Sequence, residues 1–222
     1  MSGFAGFDRS DYPGKAAMDW LKANTNLKWA GFYLAPAPSH QNTSWMDADD
    51  ADFEGWGFAP IYLGQETAGP GSHLITAAQG TIDGAHACAL MAKAGFDPKA
   101  VVYLDNEAGP PMSTAYREYV GAWCDAVVAG GFTAGVYCSF MLGLLIATLR
   151  PGTRVWVFHV PTTAEHNVDG RFFPESDPTA SGFPGASIWQ RDDEARIYCG
   201  AVPSSRLVVD LNSANSADPS TP

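Results

Sequence analysis

The chain has 222 residues, 46% of them hydrophobic and 12% aromatic, which suits one domain with a full core. Its formal net charge of −11 excludes the basic footprint that a nucleic-acid binder needs. The longest apolar run, "SFMLGLLIATL", is too short to span a bilayer and ends at Arg150, so no membrane span is expected.

The opening "MSGFAGFDRS" has neither a basic n-region nor an apolar h-region, so no signal peptide is expected there. A first strand, "FAGFD" (4–8), closes on Asp8. The segment "YPGKAAMDWLKAN" then predicts a helix, with Asp11 near its start, a proline at an early helical position, and Met18 and Leu21 on one face. Strands follow at 29–35 ("WAGFYLA") and 58–64 ("FAPIYLG"), with 36–57 between them reading as loop. The next helix covers "TIDGAHACALMAKAGF", which ends in a lysine and then a glycine. A fourth strand, "VVYLDNE" (101–107), precedes a helix in which Tyr116, Tyr119, Val120, Trp123 and Val127 form an apolar stripe. Strand "AGVYCS" (134–139), a helix over "SFMLGLLIATLRPG", and strand "RVWVFHV" (154–160) come next. After a loop-like stretch at 161–185, strands are expected at 186–190 ("ASIWQ") and 207–211 ("LVVDL"). Residues 213–222, small, polar and proline-bearing, read as a disordered tail or linker after a domain of 1–212.

Eight strands alternate with helices or long loops, and most are continuously apolar, as parallel strands covered on both faces are. The pattern predicts a small (β/α)8 barrel with some helices reduced to loops. An open doubly wound sheet is the alternative, but no GxGxxG or P-loop follows the first strand. The four cysteines lack CxxC spacing, which argues for buried thiols rather than a zinc site and leaves a Cys88–Cys124 bridge open.

The chemistry concentrates at strand ends. Side chains alternate along a strand, so Asp105 and Glu107 are expected to share a face at the C-terminal end of the fourth strand. Asp8 ends the first strand and Asp210 lies near the end of the eighth. In a parallel barrel that end carries the active site, so all four acids are expected at one mouth. Crowded carboxylates oppose one another's ionisation. That suits glycoside hydrolysis, which needs one protonated acid and one charged carboxylate. Glu107 is expected to keep its proton, and Asp105 to be held ionised by backbone and tyrosine donors. Tyr33, Tyr62, Tyr103 and Tyr137 lie near strand ends, and Trp189-Gln190 ends the seventh strand. Tyr33, Tyr62, Tyr137, Trp189 and Gln190 are candidate sugar contacts, with His40 and Trp45 walling the cleft from the loop "APAPSHQNTSW".

Weaker signals lie elsewhere in the chain. Ser72 beside His73 is adjacency without a nucleophile elbow. His159 reads equally as a core histidine. "DADDADFE" (47–54) lacks the glycine and closing glutamate of a calcium loop.

Taken in order, "GFDRSDYPG", "WAGFYLAPAPSH", "GWGFAPIYLGQ", "VYLDNE", "AGVYCS", "PGASIWQ" and "VVDLN" resemble the bacterial glycoside-hydrolase-like domain family, TIM-barrel relatives of the family 25 lysozymes, from Gly6 to about Asn212. The resemblance implies that Glu107 takes the general-acid position. Asp105 takes that of its stabilising or orienting partner, and Asp8 and Asp210 match the acids of the first and last strands. It further implies a bacterial cell-wall or related glycan as substrate, no cofactor, and action outside the cell or at the wall, with the chain expected as a monomer. Two other readings use the same residues: a barrel that binds glycan without cleaving it, and a hydrolase whose acids hold a divalent metal.

Overall fold

A computed structural model describes residues 2–34, 44–48, 53–68, 72–161 and 164–222. Nine strands and four α-helices appear among them: β1 (Phe4–Asp8), α1 (Lys15–Asn24), β2 (Trp29–Tyr33), β3 (Gly57–Tyr62), α2 (Ala77–Lys93), β4 (Val101–Asp105), α3 (Thr114–Ala129), β5 (Thr133–Ser139), α4 (Gly143–Leu149), β6 (Arg154–Phe158), β7 (His166–Val168), β8 (Ile188–Tyr198) and β9 (Arg206–Ala214). Eight of these strands close into a barrel in the order β1-β2-β3-β4-β5-β6-β8-β9, with β7 paired to the outer part of β8. The fold is a small TIM-barrel-like α/β barrel, as the run of apolar segments implies.

One feature departs from an all-parallel ring. β9 runs antiparallel to both β8 and β1. The cause is local. β8 continues past Gln190 to Tyr198, leaving only 199–205 to reach β9. A connection that short can close a hairpin but cannot make a parallel crossover, which needs about a dozen residues or more.

Strand alternation divides the apolar side chains into two cores. Inside the ring lie Trp29, Ala59, Ile61, Val101, Tyr103, Trp156, Ile188 and Ala214. The indole of Trp156 sits at their centre, with Trp29, Tyr103 and Tyr137 edge-on at 5.7, 5.5 and 5.4 Å between ring centroids. Gly6 makes this packing possible, because a Cβ there would lie 2.1 Å from the Trp29 ring. Outside the ring, the helices bury the opposite strand faces. The predicted stripe of α3 is buried as expected, and α3 is capped by Ser113, whose side chain accepts from Tyr116 N. Helix α1 starts at Lys15 with Gly14 as its cap, so Asp11 and the proline precede it. Between β2 and β3 no α-helix occurs among the described residues. Phe32, Trp45, Phe53 and Phe58 cover the barrel there instead.

The C-terminal residues do not form a disordered tail. Residues 213 and 214 belong to β9, and the rest close the bottom of the barrel. Val101 N donates to Ser220 O (2.7 Å), Tyr103 OH to Pro219 O (3.1 Å) and Phe58 N to Asp218 Oδ1 (2.9 Å). The segment docks through backbone carbonyls and one carboxylate, which a reading of side-chain polarity overlooks. All four cysteine thiols are free, so the Cys88–Cys124 bridge does not form. The Cys88 thiol faces the carbonyls of Ala126 and Val127. Among the described residues no helix is long and apolar enough to cross a membrane.

Candidate functional site

The mouth opposite this plug is built by β1, β4 and β9. Asp8 is the last residue of β1, and the β1–β9 register sets it directly across from Asp210. The reversed direction of β9 therefore still brings Asp210 to the mouth, through mid-strand register rather than a strand end. Gly31 on β2 leaves the space, since a Cβ there would lie 2.6 Å from Asp8 Cβ. Asn212 ties the pair to the core. Its Nδ2 donates to Asp8 Oδ2 (2.6 Å) and its Oδ1 accepts from Trp156 Nε1 (3.0 Å). Asp210 Oδ1 accepts from Glu194 N (2.8 Å). Glu194 has a φ of 52° and lies where β8 slips register twice against β9. Such bulges re-aim side chains, and this one sets Asp193 against Asp210.

Asp105 ends β4, and Glu107 follows just past it. Asp105 is 5% exposed. Its Oδ2 accepts from Tyr33 OH (2.8 Å), while its Oδ1 has no hydrogen-bond partner among the described residues. Glu107 is exposed. Both line a recess of about 190 Å³, together with Glu66, Thr67 and Tyr116. A roomier cavity of about 610 Å³ lies among the aromatics outside β2 and β3 and touches none of the four acids.

The electrostatics follow from burial and crowding. Burial first, and then the charge of Glu107, push the Asp105 carboxyl up to about 8, against the bond from Tyr33. Burial raises Asp210 to about 7, with the Glu194 amide pulling down and Asp193 pushing up. Asp8 is held well above the usual carboxylate range by burial and by Asp210, with Asn212 opposing. Glu107 is raised by burial, Glu66 and Asp193, but it faces water, which screens that effect. The stronger push thus falls on Asp105, reversing the order expected from the sequence. Tyr33 does donate to Asp105, yet one hydrogen bond does not offset burial in the barrel.

The other candidates divide by the face of their strand. Tyr33 is at the mouth on Asp105. Tyr137 OH donates to Gln190 Oε1 across the same mouth, and Gln190 is buried. Tyr62 is not there. Ile61 takes the inward position, so Tyr62 turns to the helices, with its OH against His86 Nδ1 (3.1 Å) and its ring beside Trp123. Trp189 likewise lies on the face of β8 opposite Gln190. Its Nε1 donates to His159 O (3.2 Å), and the Arg191 guanidinium covers its ring. Trp45 does not wall the acid mouth; it lines the cavity outside β2 and β3. It is 2% exposed and its Nε1 donates to Arg9 O. Tyr103 reaches the bottom plug rather than the mouth. His159 packs flat on Phe140 with Nδ1 on Ser181 O, and His73 Nδ1 meets Glu66 O (2.8 Å). His40 lies outside the described residues.

Sequence reasoning missed Glu66, Asp193 and Asn212. Glu66 follows β3 in "YLGQE", Asp193 belongs to the acidic run after Gln190, and Asn212 shares the alternation of Asp210. Only Asn212 carried a periodic signal. No group of three or more His, Cys, Asp or Glu among the described residues is arranged to hold a metal ion.

Known proteins match this architecture. The chain is similar in structure to an uncharacterized protein of B. stearothermophilus, at 15% identity and TM-score 0.63 over 96% of each chain. It is similar to the catalytic domain of endolysin ply40 from bacteriophage P40 of Listeria monocytogenes, at 14% identity and TM-score 0.61, covering 96% of this chain and 94% of that one. It is also similar to the modular autolysin LytC of Streptococcus pneumoniae in complex with a synthetic peptidoglycan ligand, at 13% identity and TM-score 0.57, covering 95% of this chain and 46% of that one. At these identities the likeness is one of fold. No curated protein matches. A family model described as "Rv2525c-like, glycoside hydrolase-like domain" matches residues 19–193, and the chain therefore belongs to that family.

Proposed function

We propose that this protein hydrolyses a glycosidic bond in bacterial cell-wall glycan, with Glu107 as general acid and Asp105 as the carboxylate that stabilises the transition state. The observation that carries this reading is the shared recess of Asp105 and Glu107, one buried and one exposed, beside the register-paired Asp8 and Asp210. Glu107 faces solvent, where a leaving oxygen can reach it, and its carboxyl is raised toward holding a proton. Asp105, pushed up to about 8, is protonated at neutral pH in the free site. As positive charge develops on the sugar ring the ionised form is favoured and Asp105 gives its proton up to solvent through the recess, so the carboxylate stands where an oxocarbenium-like transition state needs it. Asp8 and Asp210 maintain the field around the pair, and Tyr33, Tyr137 and Gln190 offer hydroxyl and amide contacts to the sugar.

A barrel that only bound glycan would tolerate a covered acid at position 107. The exposure of Glu107 beside a recess favours hydrolysis over that reading. The likeness to an endolysin catalytic domain and an autolysin supports the cell wall as substrate and as the place of action. The test is to incubate the full chain with purified peptidoglycan and a panel of cell-wall polysaccharides and to assay new reducing ends. Release from at least one is expected. Release from none, with the barrel folded by circular dichroism, would remove the hydrolase reading.

A further inference from the structure

Three carboxylates, Glu66, Asp105 and Glu107, line one recess. None of the chain's 13 lysines and arginines lines it. The two arginines that directly follow mouth residues Asp8 and Gln190 are committed elsewhere. The Arg9 side chain donates to Val208 O and Asp11 O, and Arg191 lies over Trp189. Asp105 is more than nine-tenths buried, and its Oδ1 has no partner among the described residues. A buried carboxyl oxygen in that state calls for a hydrogen-bond partner from outside the chain, and an ammonium that displaces the carboxyl's proton supplies one.

Hydrogen bonds at Gln65 and along the backbone of Glu66 hold the third carboxylate in place. The polar atoms of Gln65 are all bonded: its N donates to Tyr119 OH, its O accepts from Tyr116 OH, its Nε2 donates to Asp83 Oδ2 and its Oε1 accepts from Leu74 N. Glu66 N donates to Ser72 O, and Glu66 O meets His73 Nδ1. Glu66 is therefore presented to the recess from a bonded backbone, where it stands with Glu107 beside the Asp105 carboxyl.

We infer that the glycan taken at this mouth carries a free, positively charged amino group: an un-acetylated 2-amino sugar whose ammonium is held by Asp105 Oδ1 with Glu66 and Glu107. The inference rests on the glycan reading above and narrows it to a substrate class. An ammonium brings three donors and a full charge, matching three carboxylates without a cation. An acetamide brings one donor and no charge, and leaves the repulsion among the acids in place. A uronic acid or a phosphate-bearing sugar adds to that repulsion. Burial of Asp105 strengthens the discrimination, because an opposite charge next to a desolvated carboxylate is screened little by water. The raised carboxyls also predict that binding of the cation releases protons.

Isothermal titration calorimetry of the full chain at pH 7 with the β-1,4-linked glucosamine trimer and the N-acetylglucosamine trimer tests this directly. The glucosamine trimer is expected to bind at least tenfold more tightly, with an enthalpy that varies with the buffer's ionisation enthalpy. Asp105→Asn should reduce the preference to threefold or less. Glu66→Gln should reduce it as well, and provides an independent reading at an exposed-side residue. Equal or tighter binding of the acetylated trimer, binding of neither, or a preference that survives both substitutions would overturn the inference, the last because it would trace to the overall charge of −11. Cleavage is not part of the readout. Hydrolysis of acetylated glycan without the preference removes this inference and leaves the hydrolase reading. Preferential binding without cleavage of any glycan does the reverse.

Discussion

The two ends of the barrel are made from the same strands and treat polar groups in opposite ways. At the bottom, Val101 N, Tyr103 OH and Phe58 N all find acceptors in the C-terminal segment. At the mouth, Asp105 Oδ1 and Asn106 Nδ2 are buried without partners among the described residues, and Asp8 and Asp210 face each other across a strand pair. The bottom has the satisfied bonding of a region that holds the fold together. The mouth keeps crowded, buried acids that work against stability, which is where barrels of this kind place their chemistry. The difference teaches that the acids are retained for something other than folding.

The comparison is broken most severely at the bottom. Deleting residues 215–222 strips partners from three buried or half-buried donors and opens the ring floor. At about 1–3 kcal/mol for each orphaned group, the loss should reach several kcal/mol, enough to lower Tm by many degrees or prevent folding; an unchanged Tm would show that the plug contributes nothing. Next comes the junction between the two regions. Asn212→Ala leaves Trp156 Nε1 and Asp8 Oδ2 without their bonds and should destabilise by about 2–3 kcal/mol in urea denaturation.

Asp105→Asn should act in the other direction. Its carboxyl is raised from 3.8 to about 8 in the folded state. The stability tied to its protonated form is fully present below pH 4 and is lost as pH rises through 8. Replacing it with a neutral amide removes that loss. The variant should be more stable than the parent by about 1–2 kcal/mol at pH 8, less so at pH 5, and inactive throughout. A variant no more stable at pH 8 than at pH 5, relative to the parent, would mean that Asp105 is ionised in the fold. The smallest effect is expected at Tyr62→Phe, which touches the helix layer alone and should change stability by about 0.5 kcal/mol or less and leave turnover intact, whereas Tyr33→Phe should alter the pH profile of the reaction.

How much of this was legible depended on where each signal sits. The continuous apolar runs of β1 to β6 announced themselves, and so did the stripe of α3. The second half of β8, "RDDEARIY", did not, because bulges and charges hide its alternation. With it went the hairpin that reverses β9. The plug was unreadable for a different reason: its bonds run through backbone carbonyls, which carry no residue-type signature. At the site, Asp8, Asp105, Glu107 and Asp210 were expected together from strand-end position, and the structure gathers them at one mouth, Asp210 by mid-strand register. Tyr62 and Trp189 were misplaced by taking a strand end as a site without counting inward and outward positions from Ile61 and Gln190. Glu66 and Asp193 lie on a loop and a bulge, where no periodicity reaches.

The measurement that bears most directly on the account is hydrolysis by the Glu107→Gln variant on two substrates, the natural cell-wall glycan and an aryl glycoside whose leaving group needs no proton. A general acid matters in proportion to the leaving group's need for one. The account predicts that Glu107→Gln abolishes cleavage of the glycan, while the aryl glycoside loses far less. Full activity of Glu107→Gln on the glycan would contradict it.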